Sequence, residues 1–222
     1  MREVFQTFFN LVGAFFTVYM IGYASFLFLS VTVGASCLYA AKRRSALKNE
    51  LPNQYYVPVS ILVPAHNESV TIEATLHSLL ALDYKLYEII VVDDGSTDDT
   101  WQVVQKAFHM VHVNRPIQRK VPCQMIEAVF ETRDYKVPIT LIRKKNGGKA
   151  DALNMGINAA QYPYFLCMDA DSVLQRDSLA KIVRPVLEQD HIVAVGGAVR
   201  PCNDVEIENG QILRYHMPRK IL

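Results

Sequence analysis

Ile89-Ile90-Val91-Val92-Asp93-Asp94-Gly95-Ser96-Thr97-Asp98 joins a run of branched apolar residues to two carboxylates, a glycine and a polar cluster. So short an apolar run, closed by turn residues, reads as a strand of a buried parallel sheet, here over residues 88–92. The carboxyl ends of such strands form the ligand crevice of open α/β sheets, which makes Asp93 and Asp94 candidate site residues. A second segment repeats the pattern, with Phe165-Leu166-Cys167-Met168 leading into Asp169-Ala170-Asp171. One acidic strand end can be an accident or a helix cap. Two in one sheet suggest a site for a nucleotide and a divalent cation.

Outward from this centre, strand and helix patterns alternate. Strands are expected at 57–63, 139–142, 164–168 and 192–195, with a short one near 125–130 inside an irregular excursion over 109–138. Helical spacing marks 68–80, 97–108, 149–160 and 178–188, with Ser96 or Thr97 able to cap the second of these. Repeated β-α-β alternation implies an α/β fold, a mostly parallel sheet flanked by helices.

The N-terminus is different in kind. No charged residue occurs between Glu3 and Lys42, and residues 11–38 are dominated by Phe, Leu, Val, Tyr, Ala and Gly. A membrane-spanning helix needs about 20 mostly apolar residues, and this run exceeds that. Lys42, Arg43, Arg44 and Lys48 follow it, against Arg2 alone before it. The positive-inside bias puts everything after Lys42 in the cytoplasm, giving a cell-membrane protein with a single-pass anchor. A cleaved signal peptide at Gly34-Ala35-Ser36-Cys37 fits less well, because the apolar run is too long and the basic cluster lies on the wrong side.

The 222 residues leave room for one domain beside this segment. A net charge of +1 gives no basic surface for nucleic acid, and four scattered cysteines form neither a zinc motif nor a disulfide framework. His109 and His112 lack a third ligand at zinc spacing and read as surface or packing residues.

Four segments carry chemistry. Pro64-Ala65-His66-Asn67-Glu68 is a strand-to-helix turn where backbone can approach a flat ligand, or where Asn67 simply caps the helix. Gly95 permits a sharp turn after Asp93 and Asp94, whose carboxylates can accept from a base N–H or ribose hydroxyls. Lys145-Asn146-Gly147-Gly148-Lys149 opens a helix running through Asn154, and a helix N-terminus beside lysines suits diphosphate. The P-loop spacing is absent. Asp169 and Asp171 offer hard oxygen ligands for Mg²⁺ or Mn²⁺, with phosphates completing the shell.

In this order the four segments resemble family 2 glycosyltransferases with a GT-A fold, over roughly residues 57–200. The membrane segment further resembles the processive bacterial branch that makes poly-N-acetylglucosamine, hyaluronan, chitin or cellulose. The resemblance implies a nucleotide-sugar donor, most often a UDP-sugar, and inversion in hexosyl or N-acetylhexosaminyl transfer to a polysaccharide or lipid-linked acceptor. It divides the chain into an anchor (1–45), a linker (46–56) and a donor-binding domain (57–222). Pro64, Ala65, Asn67, Glu68 and Asp93 would hold the nucleoside, Asp94 would support that loop, and Lys149 and Asn154 would belong to the donor site. Asp169 and Asp171 would be the D-x-D pair, with Asp171 the direct metal contact.

The family's general base lies in a Glu-Asp motif downstream of D-x-D, and its processive members carry Gln-x-x-Arg-Trp. Neither occurs here; the one tryptophan is Trp101. The chain therefore reads as the donor and metal half of such an enzyme, incomplete at its C-terminus and without an assigned base. The alternative is a membrane-tethered nucleotide-sugar-binding subunit completed by a second polypeptide. A nucleotidyltransferase on a related sheet would need a glycine-rich basic loop near its start, and none is present.

Overall fold

The computed structural model describes residues 2–48, 56–132, 134–188, 191–199, 205–208 and 211–215. They fall into two units, residues 1–55 and 56–222. The first is one continuous helix, α1 (Arg2–Lys48), unbroken at Gly13, Gly22 and Gly34. Its segment Arg2–Tyr39 is long and apolar enough to cross a membrane. The helix continues to Lys48, so the expected linker begins helically; residues 49–55 lie outside the described residues.

The second unit runs β1 (Val59–Ala65), α2 (Ile72–Leu80), β2 (Tyr87–Asp94), α3 (Thr100–Ala107), β3 (Val111–His112), β4 (Ile126–Glu131), β5 (Ile139–Lys144), α4 (Lys149–Ala159), β6 (Tyr164–Cys167) and α5 (Ser178–Glu188). A separate antiparallel pair, β7 (Val205–Glu208) and β8 (Gln211–Tyr215), follows. The main sheet has the order β3-β4-β5-β2-β1-β6. Strands β5, β2, β1 and β6 are mutually parallel, and β4 and β3 extend the sheet antiparallel beyond β5. The excursion thus returns to the sheet as β4.

Period-two alternation distributes the core between two faces. Ile61, Val63, Ile89, Val91 and Leu141 pack with Leu76 and Leu79 of α2, Val104 of α3 and Leu179 and Val183 of α5. Leu62, Ile90, Val92 and Ile142 pack with Ala152, Met155 and Ala159 of α4. A Cβ on Gly156 would stand 3.2 Å from the Leu62 side chain, so α4 lies close against β1. Pro64 is tolerated inside β1 because pairing with β6 ends at Leu62, leaving the proline without a ladder partner on that side.

Two expectations are corrected. Strand β6 is not buried like its neighbours: Tyr164 and Phe165 are about half exposed, because β6 is the edge of the sheet. Residues 192–195 form no strand; they lie beside Tyr164, Phe165 and Leu166 without joining the ladder.

Candidate functional site

Hydrogen-bonded pairing carries β2 through both aspartates, in register with β5: Asp93 opposite Arg143, Asp94 opposite Lys144. Neighbouring residues of a strand face opposite sides, so the two carboxylates enter different environments.

Asp94 points to the α4 side. Its carboxylate accepts the Gly147 N–H at 3.0 Å and the Gly148 N–H at 2.7 Å, and pairs with the fully buried Lys144 ammonium. Lys144 also reaches Asp151 at 2.7 Å and the Lys145 carbonyl at 2.8 Å. Asp151 in turn accepts the Gln124 N–H at 3.0 Å. Desolvation, the largest single influence on Asp151, raises its pKa; the Lys144 and Gln124 hydrogen bonds together outweigh it and hold the carboxyl below its ordinary value. Asp94 is thus the anchor of the 146–148 turn. The Gly147 and Gly148 N–H groups already have an internal carboxylate, and the exposed Lys149 side chain opens α4 beside them.

Asp93 points to the other side. It is fully buried, and neither carboxylate oxygen has a hydrogen-bond partner among the described residues. Burial raises its pKa; Ser96 and Arg143 offset part of this without reaching hydrogen-bonding geometry. Arg143 lies over the Trp101 ring at 4.9 Å and pairs with Glu127 at 3.2 Å. A buried, unpartnered acceptor is unusual and awaits a donor.

The β1–α2 turn is stitched to the β2–α3 turn. Asn67 adopts a left-handed φ of 59°, its oxygen accepts the Thr97 N–H at 2.8 Å, and its own N–H donates to Ser96 Oγ at 3.0 Å. The Glu68 N–H donates to Thr100 Oγ1 at 2.8 Å, and the Glu68 carboxylate accepts the Thr71 hydroxyl at 2.7 Å. Asn67 therefore does not cap α2, which starts after Thr71; Asp99 rather than Ser96 or Thr97 precedes α3. Gly95, at φ 63°, is required here: a Cβ would meet the Asn146 backbone nitrogen at 2.8 Å.

After β6, the Ala170 carbonyl accepts the Thr75 hydroxyl at 2.7 Å, which fixes the Asp169-Ala170-Asp171 turn to α2. Lys149 bonds Asp169 at 2.6 Å across the crevice. That hydrogen bond is the main reason the Lys149 pKa is raised. Asp171 is exposed, with the Ser172 hydroxyl 3.4 Å from its carboxylate.

Pro64, Ala65, His66, Asp94, Lys149, Ala152 and Asp169 line one open cleft of about 380 Å³. Asn67, Glu68 and Asp171 sit in the turns that follow β1 and β6, and Asp93 lies within β2, beside the lining residue Asp94. Asn154 does not line the cleft, its amide donating to the Pro122 carbonyl at 3.1 Å on the excursion. His109 and His112 share no helix: His109 pairs with Asp134 at 3.2 Å and His112 packs edge-on against Phe130. Among the described residues no group of three or more His, Cys, Asp or Glu side chains forms a metal cage. Asp169, held by Lys149, and Asp171, two residues on, are the kind of oxygen donor that a cation such as Mg²⁺ takes beside phosphate and water. Sequence reasoning gave no site role to Lys144 or Asp151, and named His66 only as part of the 64–68 turn. Lys144 was accessible in principle, since pairing β5 with β2 sets it beside Asp94.

A family profile described as "Glycosyl transferase family 2" matches residues 60–121 and 123–221. Poly-beta-1,6-N-acetyl-D-glucosamine synthase of Staphylococcus aureus (strain COL) is 32% identical over 149 residues, 67% of this chain and 30% of the relative. The synthase of the same description from Staphylococcus epidermidis is 33% identical over the same length. The chain thus spans about a third of the curated relatives it matches. Among solved structures, the mannosyltransferase PcManGT from Pyrobaculum calidifontis, in complex with GDP-Man and Mn²⁺, is 27% identical with a TM-score of 0.46, covering 68% of this chain and 39% of that one. S. aureus TarS in complex with UDP-GlcNAc is 22% identical with a TM-score of 0.44, covering 68% and 39%.

Proposed function

Because the chain belongs to glycosyl transferase family 2, we propose that its strand-end cleft binds a UDP-sugar with Mg²⁺ or Mn²⁺ for inverting transfer in cell-surface polysaccharide synthesis. The observation that carries the reading is the convergence of three separate turns on one cleft, with Pro64, Ala65, Lys149 and Asp169 in its wall. The buried Asp93 carboxylate supplies the missing acceptor for a nucleobase N–H, and the stitched turns at Asn67 and Glu68 shape the nucleoside bed. Lys149 sits where a diphosphate would meet it. Asp169 and Asp171 would hold the cation, which would supply charge neutralisation for the leaving diphosphate. Binding of the donor phosphates would draw Lys149 away from Asp169 and free that carboxylate for metal.

The curated relatives support N-acetylhexosaminyl transfer. No residue here is assigned as the base on the acceptor, a polysaccharide or lipid-linked sugar. That base is proposed to come from polypeptide downstream of D-x-D or from a second subunit. Calorimetry of UDP with the detergent-solubilised chain tests the donor reading. Binding is expected only with Mn²⁺ or Mg²⁺, and Asp171→Ala weakens it tenfold or more; metal-independent binding unaltered by Asp171→Ala would sink the reading.

A further inference from the structure

We propose that Lys144 is a positioning residue for the diphosphate half of the donor site, acting through Asp94 on the turn that presents Lys149. The proposal rests on the donor reading above. Lys144 ends β5 with a side chain wholly removed from solvent. A buried ammonium is stable only when paired and hydrogen-bonded, and this one is held by Asp94, by Asp151 at 2.7 Å and by the Lys145 carbonyl at 2.8 Å.

These partners belong to different elements that all bear on one turn. Asp94 ends β2, and its two oxygens take the N–H groups of Gly147 at 3.0 Å and Gly148 at 2.7 Å. Asp151 lies in the first turn of α4 and takes the N–H of Gln124 from the excursion. A Cβ on Gly147 would fall 2.5 Å from Asp151 Oδ1, so the turn is pressed onto the cluster. Gly148, at φ 88°, then reverses the chain so that Lys149 emerges toward Asp169. Removing the Lys144 charge would leave Asp94 and Asp151 as unneutralised neighbours. Their repulsion would be relieved by moving the first turn of α4, and Lys149 with it.

Asp93 lies on the opposite face of β2, outside this network. The two halves of the donor should therefore respond differently, which a purely structural role for Lys144 would not produce. A second buried polar cluster provides the control. Glu88 accepts the Ser60 hydroxyl at 2.6 Å and the Gln161 N–H at 2.7 Å, at the strand ends remote from the cleft.

The test measures UDP affinity with Mn²⁺, uridine affinity by competition, and thermal midpoint for the full chain in detergent. Lys144→Met is expected to weaken UDP tenfold or more while uridine stays within twofold, and Lys144→Arg to recover part of the loss. Glu88→Gln is expected to lower the midpoint with UDP affinity unchanged. Asp151→Asn, which keeps the Asp94 pair, guards against a Lys144→Met chain that fails to fold; it should weaken UDP about threefold, again sparing uridine. Equal losses for UDP and uridine, or wild-type UDP affinity in Lys144→Met, or in Asp151→Asn where Lys144→Met does not fold, would overturn the proposal alone. No UDP binding by the unaltered chain would overturn the donor reading and this proposal with it.

Discussion

Asp93, near the end of β2, and Asp151, in the first turn of α4, have opposite relations to stability. Asp93 has a pKa raised by burial, so the fold binds its proton more tightly than the unfolded chain does. Its ionisation costs stability above the raised value, and stability is regained as pH falls through it. Asp93→Asn is therefore expected to raise the thermal midpoint, by a few degrees if about 1 kcal/mol is recovered, while weakening UDP binding. A variant that loses both, in scanning calorimetry and UDP titration, would contradict this account. Asp151 behaves in the reverse sense. Its lowered pKa gives a contribution fully present above the ordinary carboxylate value of 3.8 and lost as pH falls through the folded value. Acid titration of stability should show wild type losing ground below that point that Asp151→Asn does not lose. Gly95→Ala should cost about 1–2 kcal/mol from the left-handed backbone alone, and more from the Asn146 contact, read as a lower denaturation midpoint. The strand-end positions of Asp93 and of Asp169-Ala170-Asp171 were visible in sequence because carboxylates after apolar runs stand out. Lys144 was hidden because a lysine beside other lysines reads as solvated; only the convergence of Asp94 and Asp151, distant in sequence, buries it.

At the scale of elements, strand and helix identities were legible from periodicity, while their ends were not. The β2 ladder runs on through Asp93 and Asp94 because β5 supplies backbone partners there, and apolar patterning cannot register that. Helix α2 starts later than its apolar spacing suggests, because the backbone after Ala65 is tied to the 96–100 turn by Asn67, Glu68 and Ser69. The antiparallel addition of β4 and β3 was foreseen only as an excursion with a short strand. The 192–195 expectation failed although the residues are strand-formers, since a strand exists only with a neighbour to bond. Close packing of α4 on β1 makes a further prediction. Gly156→Val would press branched methyls onto Leu62 and should destabilise the unit by about 1–3 kcal/mol, with the denaturant midpoint falling at constant slope.

At the scale of the molecule, a family 2 glycosyltransferase unit follows an apolar helix, and the basic cluster at Lys42, Arg43, Arg44 and Lys48 predicts, by the positive-inside bias, that the second unit lies in the cytoplasm. An alkaline-phosphatase fusion after Lys48 should be inactive; an active one would reverse the orientation. The segment Arg2–Tyr39 numbers 38 residues, about 57 Å of helix at 1.5 Å per residue, against about 30 Å of hydrocarbon. Tilt alone would need close to 60° to absorb the difference, beyond the range of about 0–40° found for membrane helices. A spanning α1 must then leave a length of apolar helix outside the acyl chains at one side or the other. Such an over-long rod would tolerate changes of bilayer thickness: it could slip along the membrane normal between thin and thick lipid mixtures without drawing a charged side chain into the oil, its flanking charges bounding its depth without fixing it.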